Sequence, residues 1–254
     1  MNNQGGTSVK KNPSLWMLRL TTEHLNRVKY PRLIRPKIGP TNPPTIELVH
    51  WGIQAYCLPW VRHFNALISG IISLTDSDNK AAVRIVGRAL YELCAHGYYV
   101  KKHIKQHLQA KNLSAAWDFL LPIATGSRYI DEYHATGIKA FDELFPTPPH
   151  IRKAINCFRE VTPRETEDDY SYLSEYSHPN MMTFRQHYRW TTPYVIDFVD
   201  EVHFGAFGAI AASSLQGLLA IEEFLGIGNE HQVRKAVGGL LEAIAKHAKA
   251  EGVT

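Results

Sequence analysis

The sequence predicts an all-α protein: a helical bundle of about six or seven helices behind an irregular basic N-terminal arm. From Thr45 onward, apolar residues recur at spacings of three and four, as on the buried face of a helix. No stretch alternates apolar and polar residues between turn signals, so no strand pattern competes with the helices. The 254 residues, 44% of them hydrophobic, are enough to bury one sizeable core.

Residues 1–44 form the predicted arm and residues 45–254 the predicted helical domain. The arm has eight basic residues and one acid, a net charge of +7, whereas the rest has 20 basic and 23 acidic residues, a net charge of −3. Its six prolines leave room for one short helix, near Leu15 to Val28. Such an arm either packs along its own acidic body or contacts a polyanion. The residues predicted to bind nucleic acid in the second case are Lys10, Lys11, Arg19, Arg27, Arg32, Arg35 and Lys37.

The first two long helices are predicted from their capping residues and apolar spacing. Thr45 is expected to cap a helix that continues to about Leu74, with a kink at Pro59. After a turn at residues 76–79, a second helix is predicted to about Leu108.

Five further helices are predicted along the rest of the chain. Their predicted starts are Ser114, Arg128, Thr162, Thr192 and Asn229. The helix from Ser114 is expected to end near Ile123, and the helix from Thr192 near Leu225.

Residues 204–221 contain no charged residue, which reaches the lower length limit for a membrane-spanning helix. Acidic pairs flank this run at 200–201 and 222–223, and neither flank has the Lys/Arg cluster that orients a membrane span. Its small residues would instead let helices approach closely, in a core or in a homodimer interface. We therefore expect a buried helix and no membrane partner.

The three cysteines, Cys57, Cys94 and Cys157, form no CxxC pair. An odd total without such pairs favours neither a disulfide framework nor a cysteine-based zinc site. The first 14 residues contain no apolar stretch of the kind found in secretory signals. A cytoplasmic location is therefore expected, and no cofactor is predicted.

The segment from Tyr170 to His178 holds a distinctive polar pattern. If it is helical, one face carries Tyr170, Ser171, Ser174 and His178. Pro179 is expected to end the helix at His178, where the helix dipole favours the protonated imidazole. His178 is thus a candidate general acid or base, and the alternative is a histidine that only caps the helix.

A second polar cluster interrupts the helix predicted after residue 80. Arg88 and Glu92 are four residues apart and are expected to pair on one side of the helix. An exposed pair would stabilise the fold by only about 0.3–0.5 kcal/mol. A partly buried pair needs further polar partners, which Ser174 and His178 would supply. The two interpretations are a catalytic cluster and a structural network that holds two helices together.

The R-x-L-x-E pattern from Arg88 to Glu92 and the Y-x-x-L-S-x-x-x-H pattern from Tyr170 to His178 resemble those of a bacterial all-helical family classed as a domain of unknown function. The resemblance covers about residues 45–225. In architecture that family is similar to the HEPN superfamily, many of whose members are metal-independent ribonucleases of toxin and phage-defence systems. The resemblance implies RNA as a partner, with His178 handling the proton of a ribose 2′-hydroxyl or of the leaving oxygen. It also implies that Arg88 neutralises the developing phosphorane charge.

HEPN ribonucleases carry an arginine and a histidine on one helix with four to six residues between them. The chain departs from this pattern, because it has that spacing at only two places. Such spacings occur here at Arg19 with His24 and at Arg128 with His134, and about two are expected by chance. The spacing alone therefore identifies no active site. The predicted catalytic residues are His178, Arg88, Glu92, Ser174 and Tyr170.

A di-metal carboxylate enzyme is the third functional hypothesis. Helical bundles of that class use Glu-x-x-His pairs, because residues at i and i+3 project into the same core. Four acid-x-x-His spacings occur, against about one expected by chance. The ligands in this alternative are Glu47, His50, Glu92, Glu175 and His178. Such a site requires all its ligands to point inward together.

Overall fold

The computed structural model describes residues 13–34, 36, 43–125, 151–162, 170–171, 173–174, 188–192, 195–198 and 205–250. In chain order its elements are helices α1 (Pro13–Leu25), α2 (Ile46–Asp76), α3 (Lys80–Gln109), α4 (Leu113–Thr125) and α5 (Ile151–Arg159), strands β1 (Tyr188–Thr192) and β2 (Val195–Phe198), and helices α6 (Gly205–Ile227) and α7 (Gln232–Ala250). Residues 170–171 and 173–174 are also helical. Seven helices thus form the body of the described chain, and the predicted all-α bundle is confirmed.

Helix α3 lies at the centre of the bundle, where it packs against α2, α4, α5 and α6. Its Leu90 and Ile104 are fully buried, together with Phe64 of α2 and Phe224 of α6, in one contiguous apolar cluster. Such burial is what the predicted apolar spacing requires. The three cysteines are buried free thiols.

The N-terminal helix α1 belongs to the same core, through the buried side chains of Leu18 and Leu25. Its position agrees with the short helix predicted within residues 1–44. The ring of Trp16 stacks on His247 of α7 with centroids 3.5 Å apart, and Gln232 donates to the carbonyl of Lys29 at 2.8 Å. The part of the arm that the structure describes is therefore anchored on the body.

Two of the predicted helix starts are confirmed by their caps. The hydroxyl of Thr45 accepts from the backbone N–H of Leu48 at 3.4 Å at the start of α2. Asn79 accepts from the N–H of Ala82 at 3.2 Å at the start of α3. Helix α2 includes Pro59 within its length and continues to Asp76.

At two other predicted starts, Ser114 and Asn229, a neighbouring residue caps the helix. Helix α4 is capped by Asn112, which accepts from the N–H of Ala115 at 3.0 Å, and not by Ser114. Before α7, the cap is Glu230, whereas Asn229 adopts a left-handed backbone with φ of 55°. Asparagine tolerates that conformation and also favours caps, so the residue type alone does not separate the two roles.

The helix predicted to start at Thr192 is wrong, because this segment forms a β-hairpin. Strands β1 and β2 are antiparallel, with Tyr188 opposite Phe198 and Trp190 opposite Ile196. Aromatic and β-branched residues favour an extended backbone, and this preference outweighed the helix-start signal of a threonine followed by proline. Helix α6 begins only at Gly205.

Two other predicted helices lie wholly or partly outside the described residues. The helix predicted over residues 128–145 lies outside them. Thr162 is described, and its hydroxyl donates to the carbonyl of Phe158 at 3.3 Å, at the end of α5. Residues 163–169, which would begin the helix predicted from Thr162, lie outside the described part of the chain.

Among the described residues, one helix is long and apolar enough to cross a membrane, over Ala206–Ile227, with mean hydropathy 1.3 and 56% of the apolar window buried. Its Ile210, Leu218 and Ile221 are fully buried against the bundle, so the expected burial of this helix is confirmed. A core helix passes the same length and hydropathy test as a membrane span.

Small residues bring α6 close to α3, and Ala206, Ala209 and Ala211 of the apolar run are buried as expected. A Cβ atom on Gly217 would lie 2.5 Å from the sulfur of Cys94, whereas a Cβ on Gly208 would meet nothing within 4 Å. On α3, a Cβ on Gly87 would lie 2.6 Å from a carbon of Ile210. An alanine at Gly217 would therefore require Cys94 and its helix to shift, whereas an alanine at Gly87 would require the side chain of Ile210 to move.

Candidate functional site

Arg88, Glu92 and Tyr170 form one hydrogen-bonded cluster. Nε of Arg88 donates to Oε1 of Glu92 at 3.0 Å, and the hydroxyl of Tyr170 donates to the same oxygen at 3.0 Å. Nη2 of Arg88 also lies 3.4 Å from the hydroxyl oxygen of Tyr170. The i,i+4 pair predicted on α3 is therefore confirmed. A polar side chain from the later segment joins it, but this side chain is Tyr170, whereas Ser174 and His178 were the partners predicted.

Aromatic packing holds Tyr170 in this position. Its ring lies 5.4 Å from the ring of Tyr91, which in turn meets Phe158 of α5 edge-on at 5.5 Å. Tyr91 and Phe158 are both fully buried. The guanidinium carbon of Arg88 lies 5.6 Å from the centre of the Tyr170 ring, within the range of a cation–π contact. The core thus fixes the ring that carries the hydroxyl.

The cluster stands on the wall of a cleft between α3 and α5. The cleft has a volume of about 480 Å³. The described residues that line it are Arg88, Ile151, Arg152, Ile155, Asn156, Arg159, Tyr170, Ser171 and Ser174. Small-molecule sites in proteins span about 300–1,000 Å³, so this cleft is large enough for a ligand.

Positive charge dominates this lining. Three guanidinium groups, those of Arg88, Arg152 and Arg159, line the cleft, and its described lining includes no carboxylate. Glu92 lies beside Arg88, and both side chains are 28% exposed. Partial burial lowers the pKa of the Arg88 guanidinium, because it disfavours the charged form. The hydrogen bonds and charges of Glu92 and Tyr170 have the larger, opposite effect, so the pKa is raised overall. Arg88 therefore stays charged, and the cleft suits an anion.

Helix α5 supplies two of the three arginines, and this helix was not predicted. Arg152 and Arg159 are seven residues apart, so they share one face at positions about 10.5 Å apart along the axis. The signal was present in the sequence, because Ile151, Ile155 and Phe158 have helical spacing. The helix was missed because it is short, lies between prolines and has arginines among its apolar residues.

The predicted catalytic residues are partly brought together. Arg88, Tyr170 and Ser174 line the same cleft, and Glu92 joins them through its hydrogen bonds. Ser171, which was predicted to share their helix face, lies there too. His178 lies outside the described residues, and its role as a general acid or base stays a prediction.

Of the seven arm residues predicted to bind nucleic acid, three lie within the described part of the chain. Arg19 forms an ion pair with Asp76 at the end of α2, which agrees with an arm that packs on its own body. Arg27 and Arg32 are exposed. The other four, Lys10, Lys11, Arg35 and Lys37, lie outside the described residues.

The residues of the metal alternative are only partly described. Glu47 is exposed in the first turn of α2, where the backbone and the hydroxyl of Thr45 lower the pKa of its carboxyl. Burial lowers the pKa of His50 one turn later. Glu175 and His178 lie outside the described part of the chain. Within that part, no group of three or more His, Cys, Asp or Glu residues is placed to hold a metal ion.

The fold and the cleft define an all-α protein with an arginine-lined, anion-compatible site. Comparison of the chain with protein-family models, curated proteins and solved structures finds no match. The resemblance to a bacterial all-helical family and to HEPN proteins therefore stays a prediction from the two motifs.

Proposed function

We propose that the protein is RNA-directed and cleaves RNA without a metal ion at the cleft between α3 and α5. The observation that carries the proposal is the convergence of Arg88, Arg152 and Arg159 on one cleft, beside the hydroxyl groups of Tyr170 and Ser171. Arginine binds phosphate through paired hydrogen bonds as well as charge, so these groups match an RNA backbone.

Openness to solvent favours a binding or catalytic role over a sealed structural one. Arg88 and Glu92 are each 28% exposed and border a cleft of about 480 Å³. A structural network in a sealed core would present no such opening. The cluster is thus accessible to a ligand while its geometry is fixed by Tyr170, as a preorganised site requires.

The reaction is a transesterification within the RNA chain. The ribose 2′-oxygen attacks phosphorus while the bond from phosphorus to the 5′-oxygen breaks. A base takes the 2′-hydroxyl proton and an acid returns one to the leaving oxygen, giving a 2′,3′-cyclic phosphate and a 5′-hydroxyl end. His178 is the proposed proton carrier, and Arg88 stabilises the added negative charge on the phosphoryl oxygens. No electron transfer is needed.

The test is RNA breakdown in the presence of EDTA, with the product ends identified. We expect 5′-hydroxyl ends from the native protein, and a loss of about 10²-fold or more in rate for His178→Ala and for Arg88→Gln. The control is Arg234→Gln, which breaks an arginine–glutamate pair between α7 and α6, with Nε 2.7 Å from Oε1 of Glu222, at a residue that does not line the described part of the cleft. Unchanged breakdown in His178→Ala would contradict the proposal.

A non-catalytic scaffold is the second candidate, and the hydrogen bonds within the cluster favour it. Oε1 of Glu92 accepts from both Arg88 and Tyr170, so the cluster ties α3 to the later segment. In that case Arg88→Gln lowers the melting temperature, while neither the native protein nor the variant binds or cleaves RNA. The two candidates are thus separated by RNA binding, since both expect some loss of stability.

A further inference from the structure

We infer that Asn156 of α5 is a specificity-determining residue, which recognises an adenine beside the scissile phosphate. The inference rests on the proposed function, because it places one nucleotide of the RNA in the same cleft. Contacts between arginine and phosphate carry no sequence information, whereas contacts with the edge of a base do. Asn156 therefore supplies a property that the cluster of Arg88, Glu92 and Tyr170 does not provide.

Asn156 lies near the middle of the face that α5 presents to the cleft. Arg152 stands four residues before it and Arg159 three residues after it, and all three line the cleft. Residues at these spacings are neighbours on a helix surface, with Cβ atoms about 5–6 Å apart. Asn156 is exposed, and its amide forms no hydrogen bond within the part of the chain that the structure describes. Both hydrogen-bonding groups of this amide are thus available to a ligand in the cleft.

An asparagine amide is complementary to one edge of adenine. Its oxygen accepts hydrogen bonds and its NH₂ group donates them. Adenine carries the donor N6 next to the acceptor N7, so the amide and the base form a pair of hydrogen bonds. The same edge of guanine has two acceptors, and the pyrimidines lack this donor and acceptor pair there. Two such bonds favour the matching base by roughly fivefold to 100-fold.

Two apolar side chains of α5 give the base a surface on which to lie. Ile151 and Ile155 line the cleft, and Ile155 directly precedes Asn156. Bases that leave their stack are held by apolar or aromatic side chains while their edges form hydrogen bonds. The cleft volume of about 480 Å³ is within the range of small-ligand sites, so one nucleotide fits. The cleft therefore offers one base a plane and an edge contact.

Arg159 provides a separate observation, which places the phosphate beside Asn156. Its Nε atom is buried, and this donor has no acceptor among the residues that the structure describes. A buried donor without an acceptor is unfavourable, so a phosphate oxygen that accepts from this guanidinium is bound more strongly. Arg159 lies less than one helical turn beyond Asn156 in the lining of the cleft. A nucleotide whose phosphate meets Arg159 therefore brings its base to Asn156.

The test compares RNA substrates that differ in one base. Four oligouridines carry adenine, cytosine, guanine or uracil at one central position. Their cleavage is followed in the presence of EDTA, and the position of each cut is mapped. We expect cleavage beside the central adenine at a rate about fivefold or more above the rate at the other three bases. Fluorescence anisotropy with the same four strands measures binding separately from cleavage.

Two substitutions at Asn156 change its hydrogen-bonding groups and leave the fold in place, because the side chain is exposed. Asn156→Ala should reduce the preference for adenine to about twofold or less. Asn156→Asp should move the preference from adenine to guanine, because a carboxylate only accepts hydrogen bonds and guanine has two adjacent donors, N1 and N2.

Two further variants separate base recognition from the general attraction of RNA. The matched control is Lys153→Ala, which removes an exposed cation of the same helix at a residue that does not line the described part of the cleft. It should leave the preference for adenine unchanged. Arg159→Gln should weaken the binding of all four strands about equally, by roughly tenfold, since a phosphate contact is independent of the base.

Each outcome decides the inference. A preference for adenine that is lost in Asn156→Ala and kept in Lys153→Ala supports it. Cleavage of the four strands at equal rates, a preference for another base, or a preference for adenine that survives Asn156→Ala would overturn the inference and leave the proposed function standing. If no strand is cleaved but the adenine strand binds more tightly, and Asn156→Ala removes the difference, the inference stands and the proposed cleavage fails. Binding of no strand overturns both.

Discussion

The hydroxyl of Tyr170 donates to Oε1 of Glu92 at 3.0 Å, and this single carboxylate oxygen also accepts from Nε of Arg88 at 3.0 Å. One atom thus joins a local pair on α3 to a residue 78 positions further along the chain. The segment that follows Tyr170 carries Ser174, which lines the same cleft. This hydrogen bond therefore positions Tyr170 beside the cleft that Ser174 also lines.

Removing the hydroxyl in Tyr170→Phe should lower the free energy of unfolding by about 1 kcal/mol, because a hydrogen bond to a charged group is lost at a partly exposed site. Urea denaturation measures this change. The matched control is Tyr98→Phe on α3, where the ring packs on Phe158 and the substitution should have little effect. Equal losses in the two variants would show that the Tyr170 hydroxyl contributes nothing specific.

Gly217→Ala should destabilise the protein by about 1–3 kcal/mol, because the added methyl group forces the α3–α6 contact apart. Its Cβ would lie 2.5 Å from the sulfur and 2.9 Å from the Cβ of Cys94, and a Cβ atom cannot move without its helix. Gly208→Ala on the same helix meets nothing within 4 Å and should stabilise by about 0.5–1 kcal/mol. Opposite signs in thermal melting are expected, and equal effects would contradict the close packing.

Local sequence patterns predicted most helices of the fold and, at the site, the pair of Arg88 and Glu92. The Arg88–Glu92 pair was predictable because helix geometry alone places residues four apart side by side. The starts of α2 and α3 were predictable because Thr45 and Asn79 act on backbone groups within three residues. These features depend on short stretches of sequence.

Features that depend on distant contacts were not predictable in the same way. Tyr170 meets Glu92 only because its ring packs on Tyr91, a contact that no spacing encodes. Arg152 and Arg159 line the cleft only because α5 packs against α3. The burial of Phe158 and its neighbours sets this packing. Tertiary packing, not local propensity, thus completes the site.

Stability should fall as the pH drops below about 6.5, and His96 should account for part of the loss. Burial lowers the pKa of His96 from 6.5, and its Nδ1 lies 2.8 Å from the hydroxyl of Tyr56. The unfolded chain therefore takes up the proton first as the pH falls, so stability decreases between 6.5 and the lower pKa of the folded state.

His96→Gln should reduce the slope of unfolding free energy against pH over about pH 5–6.5, as measured by urea denaturation at several pH values. The slope should not vanish, because burial also lowers the pKa of His50 and of His103. An identical slope in His96→Gln and the native protein would refute this role for His96.

Glu230 is a buried carboxylate that caps α7, and its removal should be costly. Its Oε2 accepts from the backbone N–H groups of Val233 at 2.7 Å and Arg234 at 3.2 Å, and Oε1 accepts from that of Gln232 at 3.2 Å. Glu230→Ala leaves these donors without the carboxylate at the positive end of the helix, so we expect a loss of about 1–2 kcal/mol. Glu242→Ala, an exposed glutamate on the same helix, is the control and should stay within about 0.5 kcal/mol of the native protein. Thermal or urea unfolding of both variants measures the difference, and a loss no larger in Glu230→Ala than in Glu242→Ala would mean that water replaces the carboxylate at no cost.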